Sequence, residues 1–346
     1  MNNASETVLV TGATGFIARH VIAELLRAGY TVRGTVRATS SFESLRADLA
    51  TVVGVEDLDR FSVVAANLLA GEGWDEAVAG CAFVHHVASP IPNGPPKNDD
   101  ELVIPAREGT LRVLRASKEA GVRRVVVTSS VAAVIYGVNR DKTFGEADWS
   151  NPNDRRIGAY EKSKTYAERA AWDFVKDGGP ELATVNPGLV LGPGIGGDVS
   201  TSLQAVAKLL QRDVPAVPNL TFAVVDVRDV AAAHVAAMTA DWAPGRRFLA
   251  GGPNVSLRDL AAILATAYNA KGYRVPTGKL PSAALKIVAL FDKTVQLAMN
   301  DLDNPVSLDN APILQLLGRP LRGLEEMTLA SAETLIEYGL VKLRRR

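Results

Sequence analysis

The stretch that most constrains this chain runs from Thr7 to Arg37, TVLVTGATGFIARHVIAELLRAGYTVRGTVR. Val8, Leu9 and Val10 form a short apolar run suited to a strand buried on both faces, and the run stops at Thr11-Gly12. From Phe16 to Ala28 apolar residues recur at helical spacing (Ile17, Val21, Ile22, Leu25, Leu26), and Gly29 follows as a C-cap signal. A second strand ends at Val36-Arg37. Gly12 and Gly15 permit backbone angles and close approaches that a side chain forbids, so a pyrophosphate can lie against main-chain N–H groups at the helix start. The helix brings about half a positive charge to that point. Ala18 is small where such a helix must pack closely on the first strand. The GxxGxxA spacing becomes a dinucleotide cradle through its context, a buried strand before it and a capped helix after it. Arg37 stands where the ribose 2′ position arrives. A guanidinium there suits a 2′-phosphate, whereas an acidic residue would suit a free hydroxyl, so NADP(H) is favoured over NAD.

The same alternation continues along the chain. Helices are expected near Ser41–Ala50, Trp74–Val78, Glu101–Ala120 and Tyr160–Lys176, and strands at Phe61–Ala65, Phe83–Val87, Arg124–Ser129 and Leu182–Asn186. Loops are expected over Pro90–Asn98 and Pro187–Gly197, followed by a mixed remainder. The fold class this predicts is α/β, a doubly wound parallel (Rossmann) sheet with a smaller C-terminal substrate lobe. Residues 1–185 would form the NADP-binding domain, with returning segments from about 221–250, and residues 186–346 would be mainly the substrate-binding lobe.

Composition narrows the partners. The 346 residues carry 38 Lys plus Arg against 38 Asp plus Glu, so no basic field attracts nucleic acid. One cysteine, Cys81, excludes an intrachain disulfide framework and a Cys-rich zinc site, which fits a reducing compartment. The N-terminus lacks a charged segment followed by an apolar one, so no secretion signal is read and a cytoplasmic location is expected. Ser282–Met299 is apolar but broken by Lys286, Asp292 and Lys293, an amphipathic helix and not a membrane span. Its Leu285, Val288, Ala289, Leu290, Val295 and Leu297 suit a substrate-pocket wall, a subunit contact or simple core packing.

Some residues invite chemistry that their setting does not support. His85 and His86 are adjacent on a strand and point to opposite faces, so they do not share a metal, and no metal site is expected. Asp229 precedes a helical Val-Ala-Ala-Ala-His run and reads as its N-cap. Glu146-Ala147-Asp148-Trp149 either borders a cleft or anchors a loop.

The second informative region pairs RRVVVTSS (123–130) with YEKSK (160–164). Tyr160 and Lys164 stand four apart, on one face of a helix. A free tyrosine titrates near roughly 10, and a neighbouring ammonium would lower that value. Ser130, just past a strand end, can donate to a substrate carbonyl and hold it within reach of the Tyr160 hydroxyl.

Taken together, VTGATGFIA (10–18), GYTVRGTVR (29–37), GCAFVHHVASP (80–90), RRVVVTSS, YEKSK, NPGLVLGP (186–193) and, more weakly, LLGRPLRGLEE (316–326) resemble the extended short-chain dehydrogenase/reductases. The resemblance covers most of the chain and is to the dihydroflavonol 4-reductase-like branch with its microbial aldehyde and carbonyl reductases. It implies that Gly12, Thr14, Gly15, Phe16 and Ile17 hold the pyrophosphate and Arg37 the 2′-phosphate. Asn67 and Leu68 would lie by the adenine, and Val87, Ala88 and Ser89 by the ribose and nicotinamide. Pro187, Leu189 and Val190 would flank the nicotinamide ring. Ser130, Tyr160 and Lys164 match the catalytic residues, Lys164 also gripping the nicotinamide ribose. Asn67 stands where the family usually has Asp. Ile135 stands where plant flavonoid reductases carry a polar residue, which turns the expectation toward an NADPH-dependent reductase of an apolar aldehyde or ketone. A sugar-nucleotide epimerase or dehydratase, and a non-catalytic NADP-sensing protein, stay open beside it. Arginines of the C-terminal half, including Arg212, Arg246, Arg247 and Arg274, keep the first of these in play.

Overall fold

The computed structural model describes residues 6–90, 96–197, 200–252, 254–288, 290, 296 and 298–342. Seven parallel strands form the central sheet: β1 (Thr7–Val10), β2 (Thr31–Val36), β3 (Phe61–Ala65), β4 (Cys81–His86), β5 (Arg124–Thr128), β7 (Glu181–Pro187) and β10 (Arg247–Ala250). Their order across the sheet is β10-β7-β5-β4-β1-β2-β3. The direction of strand order therefore reverses between β1 and β4, and in such sheets the ligand crevice opens there, beyond the carboxyl ends of the strands.

One face of the sheet is covered by α1 (Phe16–Arg27), α2 (Phe42–Leu49) and α7 (Val227–Thr239). Val21, Ile22, Leu25 and Leu26 of α1 pack in one core with Val230, Ala231 and Ala233 of α7, all at most 1% exposed. Emptying one such leucine site to alanine would cost about 2–5 kcal/mol. The other face is covered by α3 (Trp74–Val78), α4 (Asp100–Glu119) and α5 (Ala159–Lys176). Arg124 of β5 is buried beneath the end of α7 and donates Nη1 to the carbonyls of Ala237, Met238 and Ala240, closing that helix where its own N–H partners run out.

The expected loop after β7 contains a further strand. β8 (Leu189–Leu191) runs parallel to β9 (Thr221–Asp226), and β9 is antiparallel to β11 (Asn254–Ser256), making a separate three-stranded sheet. Gly188 makes this switch possible, because a Cβ there would lie 2.1 Å from the Ala223 carbonyl oxygen. Of the stretch 221–250, β9 thus belongs to the small sheet, while α7 and β10 return to the large one. The small sheet packs with α6 (Thr201–Leu210), α8 (Leu257–Tyr268) and the last helix, α11 (Leu324–Glu337), around Leu191, Leu203, Val224, Leu264 and Met327. A two-stranded parallel pair, β6 (Thr143–Phe144) with β12 (Ser307–Leu308), links the segment after β5 to the C-terminal part.

Asp226, not Asp229, caps α7. β9 runs straight into the helix, so the extended residue at the junction is Asp226, whose side chain accepts from the Arg228 N–H at 2.8 Å. Asp229 lies in the first turn, fully buried, and its carboxylate takes Arg319 at 2.8 Å and the backbone N–H of Arg322 at 2.7 Å, with the Arg322 guanidinium beside it. The LLGRPLRGLEE motif is a clamp onto α7. In the 282–299 region a helix, α9 (Ser282–Val288), begins where expected, but 289, 291–295 and 297 lie outside the described residues, among them Ala289, Val295 and Leu297. Leu290 is 77% exposed. No helix among the described residues is long and apolar enough to cross a membrane.

Candidate functional site

The turn after β1 is shaped by Gly12, whose φ of +67° favours glycine and whose added Cβ would meet the Ala88 Cβ at 2.9 Å. Gly15 has an ordinary φ of −74° and starts α1 as its N-cap. The Gly12 N–H goes to Thr35 Oγ1 (2.9 Å) and the Gly15 N–H to the Gly12 carbonyl (2.9 Å), so both close the turn itself. The N–H groups of the first helical turn, from Phe16 and Ile17 onward, lack intrahelical acceptors. α1 also has no side-chain cap and no acidic residue in its first turn, which leaves its positive end open to an anion. Thr14 contributes its carbonyl to Arg19 Nε (3.0 Å), and Arg19 also pairs with Asp48 (2.9 Å) and reaches the Ile195 carbonyl.

Thr11 fixes the end of β4 against this turn. Its hydroxyl oxygen accepts from the N–H groups of Val87 and Ala88, both at 3.0 Å, so its own proton goes to His86 Nδ1 at 3.0 Å. His86 is then the Nε2–H tautomer, donating to Thr110 Oγ1 at 3.3 Å, and Thr110 passes its proton to the Ala106 carbonyl. Burial first, and the charge of Lys164 second, hold His86 down at about 3. His85, on the opposite face, packs against the His234 ring at 5.8 Å, and neither of its nitrogens has a hydrogen-bond partner among the described residues. Among the described residues no group of three or more His, Cys, Asp or Glu could hold a metal ion.

Arg37, just past β2, is exposed and makes no ion pair among the described residues. Asn67, past β3, is also exposed. Its side chain accepts from the Leu69 N–H at 3.0 Å and its carbonyl from Trp74 Nε1 at 3.1 Å, so it braces its own turn. Leu68, Ala88 and Ser89 line one cleft with His86, Lys164 and Glu168. The sheet therefore gathers its strand ends, with the residues expected at them, along one edge.

Ser130 follows β5 and caps the short turn Val131–Ala133. Its Oγ accepts from the Ala132 N–H (3.1 Å) and donates to the Pro187 carbonyl (3.4 Å). Leu189 and Val190 lie in β8, two and three residues beyond Pro187. Tyr160 and Lys164 sit in the first turns of α5, which starts at Gly158 with the Glu161 carboxylate on the Gly158 N–H (3.0 Å). Lys164 is 9% exposed and makes no hydrogen bond or ion pair within the described protein, so a buried ammonium is left with open donors toward the cleft. Burial lowers its pKa to about 8, against the raising effect of Glu168. Tyr160 is 49% exposed as a residue, yet desolvation at its hydroxyl is the largest influence and raises its pKa above the ordinary tyrosine value, not below it. Ser130 pulls it down and Glu161 pushes it up. Lys164 is not among the groups that shift Tyr160, so the expected lowering is not found.

The features that sequence reasoning missed lie beneath these residues. Glu168 is buried under the site and bound by Arg247, whose Nε is 2.6 Å away. Arg247 also donates to the carbonyls of Glu146 and Asp148 and stacks 3.8 Å from the Trp149 ring, so residues 146–149 anchor a loop. Arg246 pairs with Glu146 at 2.6 Å. The position of Glu168, four residues after Lys164 on the same helix face, was the available signal. Ile135 is 4% exposed and packs with Val131, Val134, Phe144 and Leu249 beside Ser130.

Residues 8–251 match the family model described as the NAD dependent epimerase/dehydratase family. The chain belongs to this family. Within it, the chain is an oxidoreductase of the extended short-chain dehydrogenase/reductase class, in the dihydroflavonol 4-reductase-like branch. It is 33% identical over 329 residues to cinnamoyl-CoA reductase 1 of Petunia hybrida, covering 93% of each chain. It is 32% identical over 345 residues to tetraketide alpha-pyrone reductase 1 of Arabidopsis thaliana, covering 98% of each. Among solved structures it is similar to the yeast methylglyoxal/isovaleraldehyde reductase Gre2 complexed with NADPH. There the TM-score is 0.80 and the identity 28%, over 96% of this chain and 99% of that one. The family's doubly wound sheet is the one described above.

Proposed function

We propose that this protein is an NADPH-dependent reductase of a small apolar aldehyde or ketone, with Ser130, Tyr160 and Lys164 as its catalytic residues. The observation that carries the reading is a single edge of the sheet where three things meet: an uncapped helix N-terminus, a buried lysine with open donors, and Ser130 beside Tyr160. The residues fit the cofactor. The Gly12 turn gives close backbone approach, the N–H groups of Phe16 and Ile17 would face the pyrophosphate, and the guanidinium of Arg37, without an ion pair among the described residues, suits a 2′-phosphate. Leu68, Ala88 and Ser89 would border the bound cofactor, and Pro187, Leu189 and Val190 its nicotinamide side.

When bound, NADPH supplies the hydride. Ser130 donates to the carbonyl oxygen and orients it. Tyr160, whose raised pKa keeps it protonated at neutral pH, gives its proton to that oxygen as negative charge develops. Lys164, charged below about pH 8, would hold the ribose hydroxyls through its ammonium donors and add positive charge to the site. The reductase names of the relatives support net reduction of a carbonyl. The apolar cluster beside Ser130 supports an apolar substrate. Arg247 and Arg246 are occupied by Glu168 and Glu146, which leaves fewer cations for a sugar-nucleotide diphosphate.

The test is NADPH oxidation by purified protein across aldehydes, ketones, flavonoids and aromatic thioesters. One NADPH consumed per aromatic aldehyde reduced is expected. Conversion of a nucleotide sugar with only catalytic cofactor, and no reduction of free carbonyls, would replace this reading with the epimerase one.

A further inference from the structure

Glu168 is 1% exposed, yet it is a carboxylate, and a charge so placed must be paired and hydrogen-bonded or it would be driven neutral. It is held by donors from three strands and its own helix. Ser129 Oγ at the end of β5 and Asn186 Nδ2 of β7 (2.8 Å) donate to one oxygen. Arg247 Nε of β10 (2.6 Å) and Trp172 Nε1 of α5 (3.3 Å) donate to the other. These contacts keep its pKa below the usual carboxylate value despite burial. The same Asn186 amide donates to the Ser130 carbonyl at 3.2 Å. A rigid path therefore runs from α5, through Glu168 and Asn186, to the backbone of Ser130.

Glu168 also follows Lys164 by four residues and Tyr160 by eight, on one stripe of α5. It lines the same cleft as Lys164, with His86 across from it. We infer that Glu168 is a positioning residue of this site: it sets Ser130 in register with the Tyr160–Lys164 face of α5 and stands as the anionic neighbour of Lys164 in the cleft they share.

This rests on the reductase reading of Ser130, Tyr160 and Lys164. The groups facing Lys164 in the cleft are Glu168 on its own helix and His86 from β4, which is neutral at working pH. Behind Glu168 stands Arg247 of β10, which offsets part of its charge. Lys164 sits at about 8 with the Glu168 carboxylate raising it, so removing that charge moves the lysine further down. The ammonium is then lost at lower pH, and with it the donor to the cofactor ribose.

The experiment compares full-length wild type with Glu168→Gln and Glu168→Asp. NADPH dissociation constants are measured by fluorescence titration from pH 6 to 9.5, together with kcat/KM profiles and unfolding midpoints. In wild type, affinity should fall as pH rises through the lysine limb. Glu168→Gln should move that limb down by about one pH unit or more. Glu168→Asp, which keeps the charge but withdraws it by one methylene, should show a smaller shift in the same direction. A Gln variant that loses stability and turnover by the same factor at every pH, with its limb unmoved, would make Glu168 merely structural and overturn the inference. Should Glu168→Gln not fold, Glu168→Asp carries the decision: a displaced limb supports the inference and an unmoved one overturns it. If wild type binds NADPH but reduces no carbonyl, the reductase reading fails alone, because the limb in the binding titration still reports the effect of Glu168 on Lys164.

Discussion

The two ends of the site are built from different materials. At the Gly12–Ile17 turn the groups we propose for the cofactor are backbone: a left-handed glycine, the N–H groups of the first helical turn and a helix dipole, with Arg37 the one side chain we assign to it. At Ser130, Tyr160 and Lys164, the proposed catalytic residues, the groups are side chains, and beneath them lies a buried floor of Glu168, Arg247, Asn186 and Ser129. A backbone site needs only a local conformation to be right. A side-chain site needs several distant segments to arrive in register, and here β5, β7 and β10 all contribute.

That contrast predicts that binding and chemistry separate when the side-chain end is cut. Tyr160→Phe should lower carbonyl turnover by about 100- to 10,000-fold, the usual worth of a positioned acid or base. The NADPH dissociation constant should hold, since the turn at Gly12 is untouched. Stopped-flow reduction and fluorescence titration on the same preparation measure both. Near-normal turnover would reveal another proton donor and dissolve the distinction.

The same contrast decides what could be read from the chain. Thr7–Arg37 was legible because strand, turn and helix are local, and Gly12 declares its conformation in a way few other residues do. Tyr160 and Lys164 were legible as a helical pair. The direction of the tyrosine pKa was not, because it is set chiefly by desolvation of its hydroxyl, which is tertiary. The cap of α7 was misplaced for a related reason. Asp226 and Asp229 both suit a cap, and only the exit of β9 directly into the helix chooses between them. Arg246 and Arg247 looked like free cations until the fold brought Glu146 and Glu168 to them.

The side chain assigned to the backbone end gives the next sharpest test. Losing the charge-assisted contact of Arg37 should cost about 1.5–3 kcal/mol, or roughly ten- to a hundredfold in affinity. Arg37→Ala should therefore raise the Michaelis constant for NADPH by that factor and leave the constant for NADH nearly unchanged. Equal changes for both cofactors would mean that Arg37 does not read the 2′-phosphate and that the backbone alone does the binding.

The smallest effect tests whether the two ends are as independent as their construction suggests. His20 lies on α1, packs edge-on against Phe16 at 5.7 Å and donates Nε2–H to the Pro193 carbonyl at 2.8 Å. It thereby ties the cradle helix to the loop beyond β8, and α11 holds that loop from the other side through Ser331 on the Gly192 N–H and Thr334 on the Gly194 N–H. Burial lowers the pKa of His20 to about 4, from 6.5 in a free histidine. Between those values the unfolded chain binds the proton and the folded chain does not. Stability attributable to His20 is thus fully present above pH 6.5 and declines as pH falls toward 4, by about 1.4 kcal/mol per pH unit. Denaturant unfolding of wild type and His20→Gln at pH 7, 6 and 5 reads this directly, because the variant should lose stability on acidification less steeply by one proton. If its slope matches wild type, His20 is not held neutral by the fold. If the slope flattens and NADPH affinity at pH 7 also falls, the cradle depends on its tie to the Pro193 loop, and the backbone end of the site is less self-sufficient than its local construction implies.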